Sequence, residues 1–435
     1  MQRVADGAAE ARGPGIVVDA VLLVALLNEI LQAQFVWDVA YSPTRAIFIS
    51  YLLFGFALLG RFWRQVGKPV TIAICVVFSM VVLGQLSWVA QQSWLQADNY
   101  WQDWRLMAGY LAFGAAFGRR HWAAWSRILV WLGVGVAVLQ ALALVFGGSG
   151  LRPKGPEGFY DFRPLAASTV LLILVAFVIL VLDSPLGPGW TLGAGLFTGI
   201  SVIIGQHRSA WVSLMIALIL CGIHLFRQRA GWQRWGTVIG VDVFWALAIV
   251  VPLVSGLYVL PGSRASGSAS GGLPTTATST GTFEWRLEMW NSRINVSRSI
   301  DDVLFGGTFG VTPALGPGAQ VMNPFNSAHN LVLDQFIMLG LVGLLAIGAI
   351  LFVALWWTPD RLGPIPVLLW ALLGFGVFYN WPSWAWLLAG AGASLSSAGA
   401  QRQLRRGDTS DNAPGGPDAL DSGTTLSGNT ARAQP

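Results

Sequence analysis

About a dozen apolar runs follow one another along this chain, and they restrict what it can fold into more than any other feature. They fall near 16–36, 46–60, 69–91, 105–118, 125–147, 165–182, 190–204, 209–226, 236–260, 330–357, 364–378 and 382–399. Most reach or approach the ~20 apolar residues that a helix needs to cross a ~30 Å hydrocarbon layer. Lipid offers the backbone no water, so each spanning segment must satisfy its own N–H and C=O groups, and a helix does this within one segment. The expectation is an all-α, polytopic membrane protein with about twelve transmembrane helices.

Composition points the same way. Charged residues make up 11% of the chain, against roughly 25% in an average soluble domain. The 22 tryptophans suit rings seated at headgroup level. Cys75 and Cys221 both lie inside apolar runs and read as small hydrophobes, without disulfide or metal spacing. Residues 1–15 carry mixed charge and the apolar run after them does not end in a cleavage site, so no cleaved signal peptide is expected.

The net charge of +5 reads first as topology. With the N-terminus in the cytoplasm, the inside loops collect Arg61, Arg64 and Lys68, then Arg119, Arg120 and Arg127. Arg227, Arg229 and Arg234 follow, and finally Arg402, Arg405 and Arg406. The first outside hairpin holds Arg45 alone, and the second holds Arg105 with Asp98 and Asp103. This positive-inside bias predicts both termini in the cytoplasm and a large outside loop at about 261–329. Residues 1–406 then form the membrane domain, and the Gly-, Ser-, Thr-, Asp- and Pro-rich tail 407–435 is expected to be disordered.

Two outside loops carry positive charge that topology does not require. The first, 148–164, has Arg152, Lys154 and Arg163 beside Glu157 and Asp161. The long loop opens with a low-complexity stretch over 262–282 and continues as FEWRLEMWNSRINVSRSI, which reads as a helix. Phe283, Leu287, Trp290 and Ile294 make one apolar stripe, with Arg286 and Arg293 on one border and Arg298 on the other. Such a helix would lie flat on the membrane with guanidinium groups at its edge. Arginines there are either the polar border of an interfacial helix or partners for a polyanion such as a diphosphate.

Arg208, in the short outside turn GQHRSAW, has the same two readings: a side chain snorkelling to headgroups, or a fork holding an anion in a cavity. His207 beside it is ambiguous. His329, one of only four histidines, opens an apolar run after Asn326 and Ser327, both good N-cap types. A capping role is open to it. So is general-base work, because the positive end of a helix dipole favours the neutral imidazole. Asp334, further into the same run, is an intramembrane carboxylate and a candidate to support the site. No Asp-x-Asp, His/Glu cluster or Cys ligand set appears outside, and no phosphate-binding glycine loop appears anywhere. Neither a metal, a cofactor nor a nucleotide is therefore expected.

In this order, these residues resemble the superfamily of O-antigen ligases and polymerases, integral-membrane glycosyltransferases. That family has an Arg at the outer end of a mid-chain span, then a large periplasmic loop with Arg-x-x-x-Trp. A "pllGvGfG" segment follows, then His-Asn opening a span with Leu-Gly-x-x-Gly. This chain has Arg208, Arg286-Leu-Glu-Met-Trp290, DDVLFGGTFG over 301–310, and AHNLVLDQFIMLGLVGLL over 328–345. Arg152-Pro-Lys-Gly155 is similar to the family's RxxG segment in the preceding outside loop.

The resemblance implies metal-independent transfer at the periplasmic face of a bacterial inner membrane. The donor would be an undecaprenyl-diphosphate-linked glycan drawn from among the membrane lipids, and no nucleic acid is involved. Arg208 and Arg286, with Arg152 and Arg293, would bind the diphosphate. His329 would deprotonate the acceptor hydroxyl, supported by Asn330, Trp290 and Asp334. Ligation of a glycan to lipid A–core is the favoured outcome; polymerisation of repeat units onto a glycan acceptor and protein O-glycosylation are the alternatives. A transporter or flippase is the rival from another class. It would show internal repeats and broken helices at matched positions, which this chain does not.

Overall fold

A computed structural model of the chain describes residues 12–35, 43–59, 66–91, 94–145, 165–183, 188–205, 207–227, 290–291, 293–294, 298–309, 330–358 and 360–396. The expected span 236–260, the low-complexity stretch, Asn326, Ser327 and the tail from 407 lie outside the described residues. So do the loop 148–164 and three candidate site residues, Arg152, Arg286 and His329.

Among the described residues every regular element is helical. In chain order they are α1 (Arg12–Phe35), α2 (Pro43–Leu59), α3 (Lys68–Gln91), α4 (Trp94–Val145), α5 (Ala167–Asp183), α6 (Pro188–Ile204) and α7 (Arg208–Arg227). Then come α8 (Ile300–Phe305) with a 3-10 turn (Gly306–Phe309), α9 (Leu331–Trp356) and α10 (Pro364–Gly376). A last helix, α11, covers 386–396.

Among the described residues, four segments are long and apolar enough to cross a membrane: Lys68–Ser87, Trp101–Val145, Ser209–Arg227 and Leu331–Trp356. Shorter apolar helices, Ile47–Leu59, Ala167–Asp183, Trp190–Ile204 and Pro364–Gly376, pack among them. Large apolar side chains also point outward, with Trp190 78% and Phe226 66% exposed. Helices apolar all round belong in lipid, where outward-facing Trp and Phe meet acyl chains.

The 45 residues of Trp101–Val145 would reach well over twice the thickness of a bilayer as a straight helix. They do not run straight. Phe113 and Trp125 stack with ring centroids 5.5 Å apart, whereas twelve residues of straight helix separate positions by about 18 Å. The chain therefore turns back inside α4, and Arg119 and Arg120 lie between those two rings in sequence, where basic residues mark a junction between two apolar runs.

Backbones approach closely where side chains are small. Gly114 and Gly118 of α4 face Leu387 and Ala391 of α11, Gly390 faces Leu111 and Ala115, and Gly133 faces Leu172 and Ala176 of α5. Lipid supplies no hydrophobic force between helices, so tight backbone contact of this kind is what holds a bundle together.

The bundle has two distinct ends. At one, the start of α7 meets the start of α5, and the start of α9 meets the end of α10. At the other, Asp19 of α1 takes hydrogen bonds from His121 and Trp125. There too Asp183 at the end of α5 lies among Trp122, His224 and Asp360.

Candidate active site

The first end holds the elements that carry the candidate residues. Asn330 is the N-cap of α9: its side-chain oxygen accepts from the Leu333 N–H at 3.0 Å. Its amide nitrogen donates to the Val377 carbonyl at 3.0 Å, tying the mouth of α9 to the end of α10. The cap thus falls to Asn330, the residue after His329, because its extended backbone (φ −146°, ψ 120°) and short amide suit that position.

α7 begins at Arg208, whose side chain lies outside the described residues. The residue before it resolves the ambiguity of the sequence: His207 is buried, and its Nε2 pairs with the Leu165 carbonyl at 3.0 Å. A carbonyl can only accept, so Nε2 carries the proton and the ring joins two helix starts. α10 lies between the two entrances. Gly374 packs on Val212 and Ile216 of α7, one and two turns past Arg208, and Gly376 packs on Leu331, the first residue of α9. The first turns of α7 and α9 therefore both flank the end of α10, although they start 123 positions apart in the chain.

The loop segment returns to α9 at three points. Trp290, Asn291, Arg293 and Ile294 have helical backbone, as the spacing predicts for this stretch. Arg293 does not sit on an exposed border, however. It is 6% exposed, and its Nη1 lies 4.0 Å from Oδ1 of Asp334, itself 5% exposed. Ile294 beside it faces outward, 61% exposed. Arg293 turns into the protein, where α9 offers a buried carboxylate, a pairing that periodicity alone does not reveal.

Arg298 stacks 5.1 Å over the Phe336 ring. Burial draws its guanidinium below the ordinary arginine range, and the nearby Asp302 carboxylate opposes that shift. Asp301 and Asp302 lie in the first turn of α8. Ser299 and Asp302 form a capping box, each side chain bonded to the other's backbone N–H at 3.1 Å.

The third point is a contact between two glycines. Gly306 and Gly340 both take positive φ, +60° and +59°. A Cβ on Gly306 would lie 2.6 Å from the Gly340 nitrogen, and one on Gly340 would lie 2.5 Å from the Phe305 nitrogen. Gly340 also breaks α9, with ψ −166° inside the helix. The glycines of FGGTFG and of LGLVG, separate in sequence, thus form one backbone-to-backbone contact. Only the residues of a break and a C-cap, both requiring φ > 0, could have signalled it.

Further polar groups line this half of the bundle. Gln335, buried, donates to the Met107 sulfur of α4 at 3.7 Å, and Glu29 of α1 lies beside Tyr110 and Asp103 of α4. Among the described residues no three His, Cys, Asp or Glu side chains converge as metal ligands would.

Against known proteins, residues 193–348 match the family model described as O-antigen ligase. No curated protein matches the chain. The matched stretch runs from within α6 through the break in α9, and so contains Arg208, the loop, both glycines of the contact, and the Arg293–Asp334 pair. Its ends bracket the first turns of α7 and α9, which both contact α10, and over this stretch the chain is similar to the O-antigen ligase family.

Proposed function

We propose that this protein transfers a glycan from an undecaprenyl-diphosphate-linked donor to an acceptor hydroxyl at the periplasmic end of the bundle, joining it to lipid A–core. The observation that supports this reading is that the first turns of α7 and α9 both contact the end of α10. Arg208, which opens α7, and His329, which precedes α9, act in this reading at that end of the bundle.

In this reading Arg208 and Arg286, with Arg152, donate paired hydrogen bonds to the diphosphate and stabilise its charge as it leaves. His329 takes the proton from the acceptor hydroxyl. The oxygen then forms a bond to the anomeric carbon as the bond from that carbon to phosphate breaks. The α9 N-terminus holds the imidazole neutral until it accepts that proton. The arginines supply positive charge that a divalent ion would otherwise bring, so transfer is independent of metal.

Reconstitution tests this directly. The purified protein in vesicles, given lipid-linked glycan and lipid A–core, should form product at an undiminished rate in excess chelator. Loss of transfer on chelation, restored by Mg²⁺ or Mn²⁺, would mean that the arginine mechanism is wrong. Glycan profiles of a deletion strain separate the two outcomes for the acceptor: lipid-linked polymer with bare core means a ligase, and single-repeat lipopolysaccharide means a polymerase.

A further inference from the structure

A guanidinium and a carboxylate stripped of water between apolar helices are costly to keep, and such a pair calls for an account. Arg293 and Asp334 are each at least nine-tenths buried and stand 4.0 Å apart. The Asp334 N–H donates to the Asn330 carbonyl at 2.9 Å, so this carboxylate is fixed within the first turn of α9. Arg298 then meets Phe336, and Gly306 meets Gly340. Three successive points of the loop, 293, 298 and 306, thus touch three successive points of α9, 334, 336 and 340. The loop and the first three turns of α9 run side by side in one fixed register.

Resting on the function proposed above, we infer that Arg293 and Asp334 are positioning residues. Their pair registers the arginine-bearing loop on the entrance of α9, and Arg293 does not itself hold the donor diphosphate. Its Nη1 faces a carboxylate inside the protein, and a carboxylate at that distance competes with any phosphate for the same positive charge. The glycine contact fixes the far end of the segment, so the ion pair is left to set the near end, seven residues from Arg286.

The test uses the full-length protein in vesicles with undecaprenyl-diphosphate-linked glycan as donor. Asp334→Asn and Arg293→Gln should each lower kcat by about 10- to 100-fold, the scale of small misplacements of reacting groups. Donor KM should stay within about threefold, because uniform donor binding is untouched. The exchange variant, Arg293→Asp with Asp334→Arg, should recover most of the lost kcat. If Arg293→Gln instead raises donor KM more than about tenfold while kcat holds, Arg293 is a donor ligand and the inference is wrong.

Limited tryptic digestion reads the register without any reaction, which covers an exchange variant that fails to fold. Cleavage at Arg298 should be faster in Asp334→Asn than in the parent protein. Equal rates would overturn the inference even if activity fell. A parent protein that performs no transfer at all would sink the proposed function, while the digestion still reports on the pair.

Discussion

His329 and Asn330 are adjacent in sequence, and the structure gives the work of the cap to Asn330. Asn330 closes the first turn of α9 and ties it to Val377, so its two hydrogen bonds account for it fully as a capping residue. The cap of α9 therefore does not require His329, whose proposed role is that of general base. His329→Ala should therefore leave the protein inserted and folded while transfer falls by roughly 10²–10⁴, the range for removing a general base. Purified variant protein with wild-type thermal stability and transfer within a few-fold of wild type would remove His329 from the mechanism. His207 makes the contrasting case. Its ring bonds the Leu165 carbonyl, holding two helix starts together, a structural role that the sequence had left ambiguous.

At the scale of elements, α9 is two helices joined at Gly340. The break is stabilised from outside by the loop backbone at Gly306, so each glycine needs both its positive φ and its missing side chain. An alanine at Gly340 carries a backbone penalty of about 1–3 kcal/mol, and its Cβ must also displace the Leu304–Phe305 peptide. Gly340→Ala and Gly306→Ala should both lower the Tm of the detergent-solubilised protein and reduce transfer with it. Gly348→Ala, on the same helix, is the control. A Cβ there meets nothing within 4 Å, and removing a mid-helix glycine stabilises by up to about 1 kcal/mol. Equal Tm values for the Gly340 and Gly348 variants would show that the loop is not docked on the break.

For the whole molecule, the two ends of the bundle should face opposite compartments. The mouths of α7 and α9 share one end with Val377, while His224, Asp183 and Asp360 share the other. By the positive-inside bias, the first end should face the periplasm. In a Cys75→Ala background, where the remaining Cys221 is buried, single cysteines can report this. Val377→Cys, on an exposed residue of the first end, should react with a membrane-impermeant maleimide in intact spheroplasts. Arg361→Cys, exposed at the second end, should react only after lysis. Labelling in the reverse order would place the candidate site in the cytoplasm and exclude a lipid-linked donor presented outside.

The sequence by itself determined that this chain is a helical membrane protein and that its family resemblance is carried mainly by roughly residues 200–350. Apolar length and the placement of arginines are one-dimensional properties, set by the bilayer and by local hydrogen bonding, and both survive without any knowledge of packing. The ordered motifs located the segment that the family match also covers. Only the tertiary structure decided which partners those residues take. Spacing put Arg293 on the border of an exposed stripe, but Asp334, 41 positions away, draws it inside. FGGTFG and LGLVG read as two glycine-rich fragments until Gly306 and Gly340 are seen in contact. Periodicity records which residues share a face of one helix; what that face meets is set by long-range packing, and buried charge pairs and backbone contacts exist only once the helices have come together.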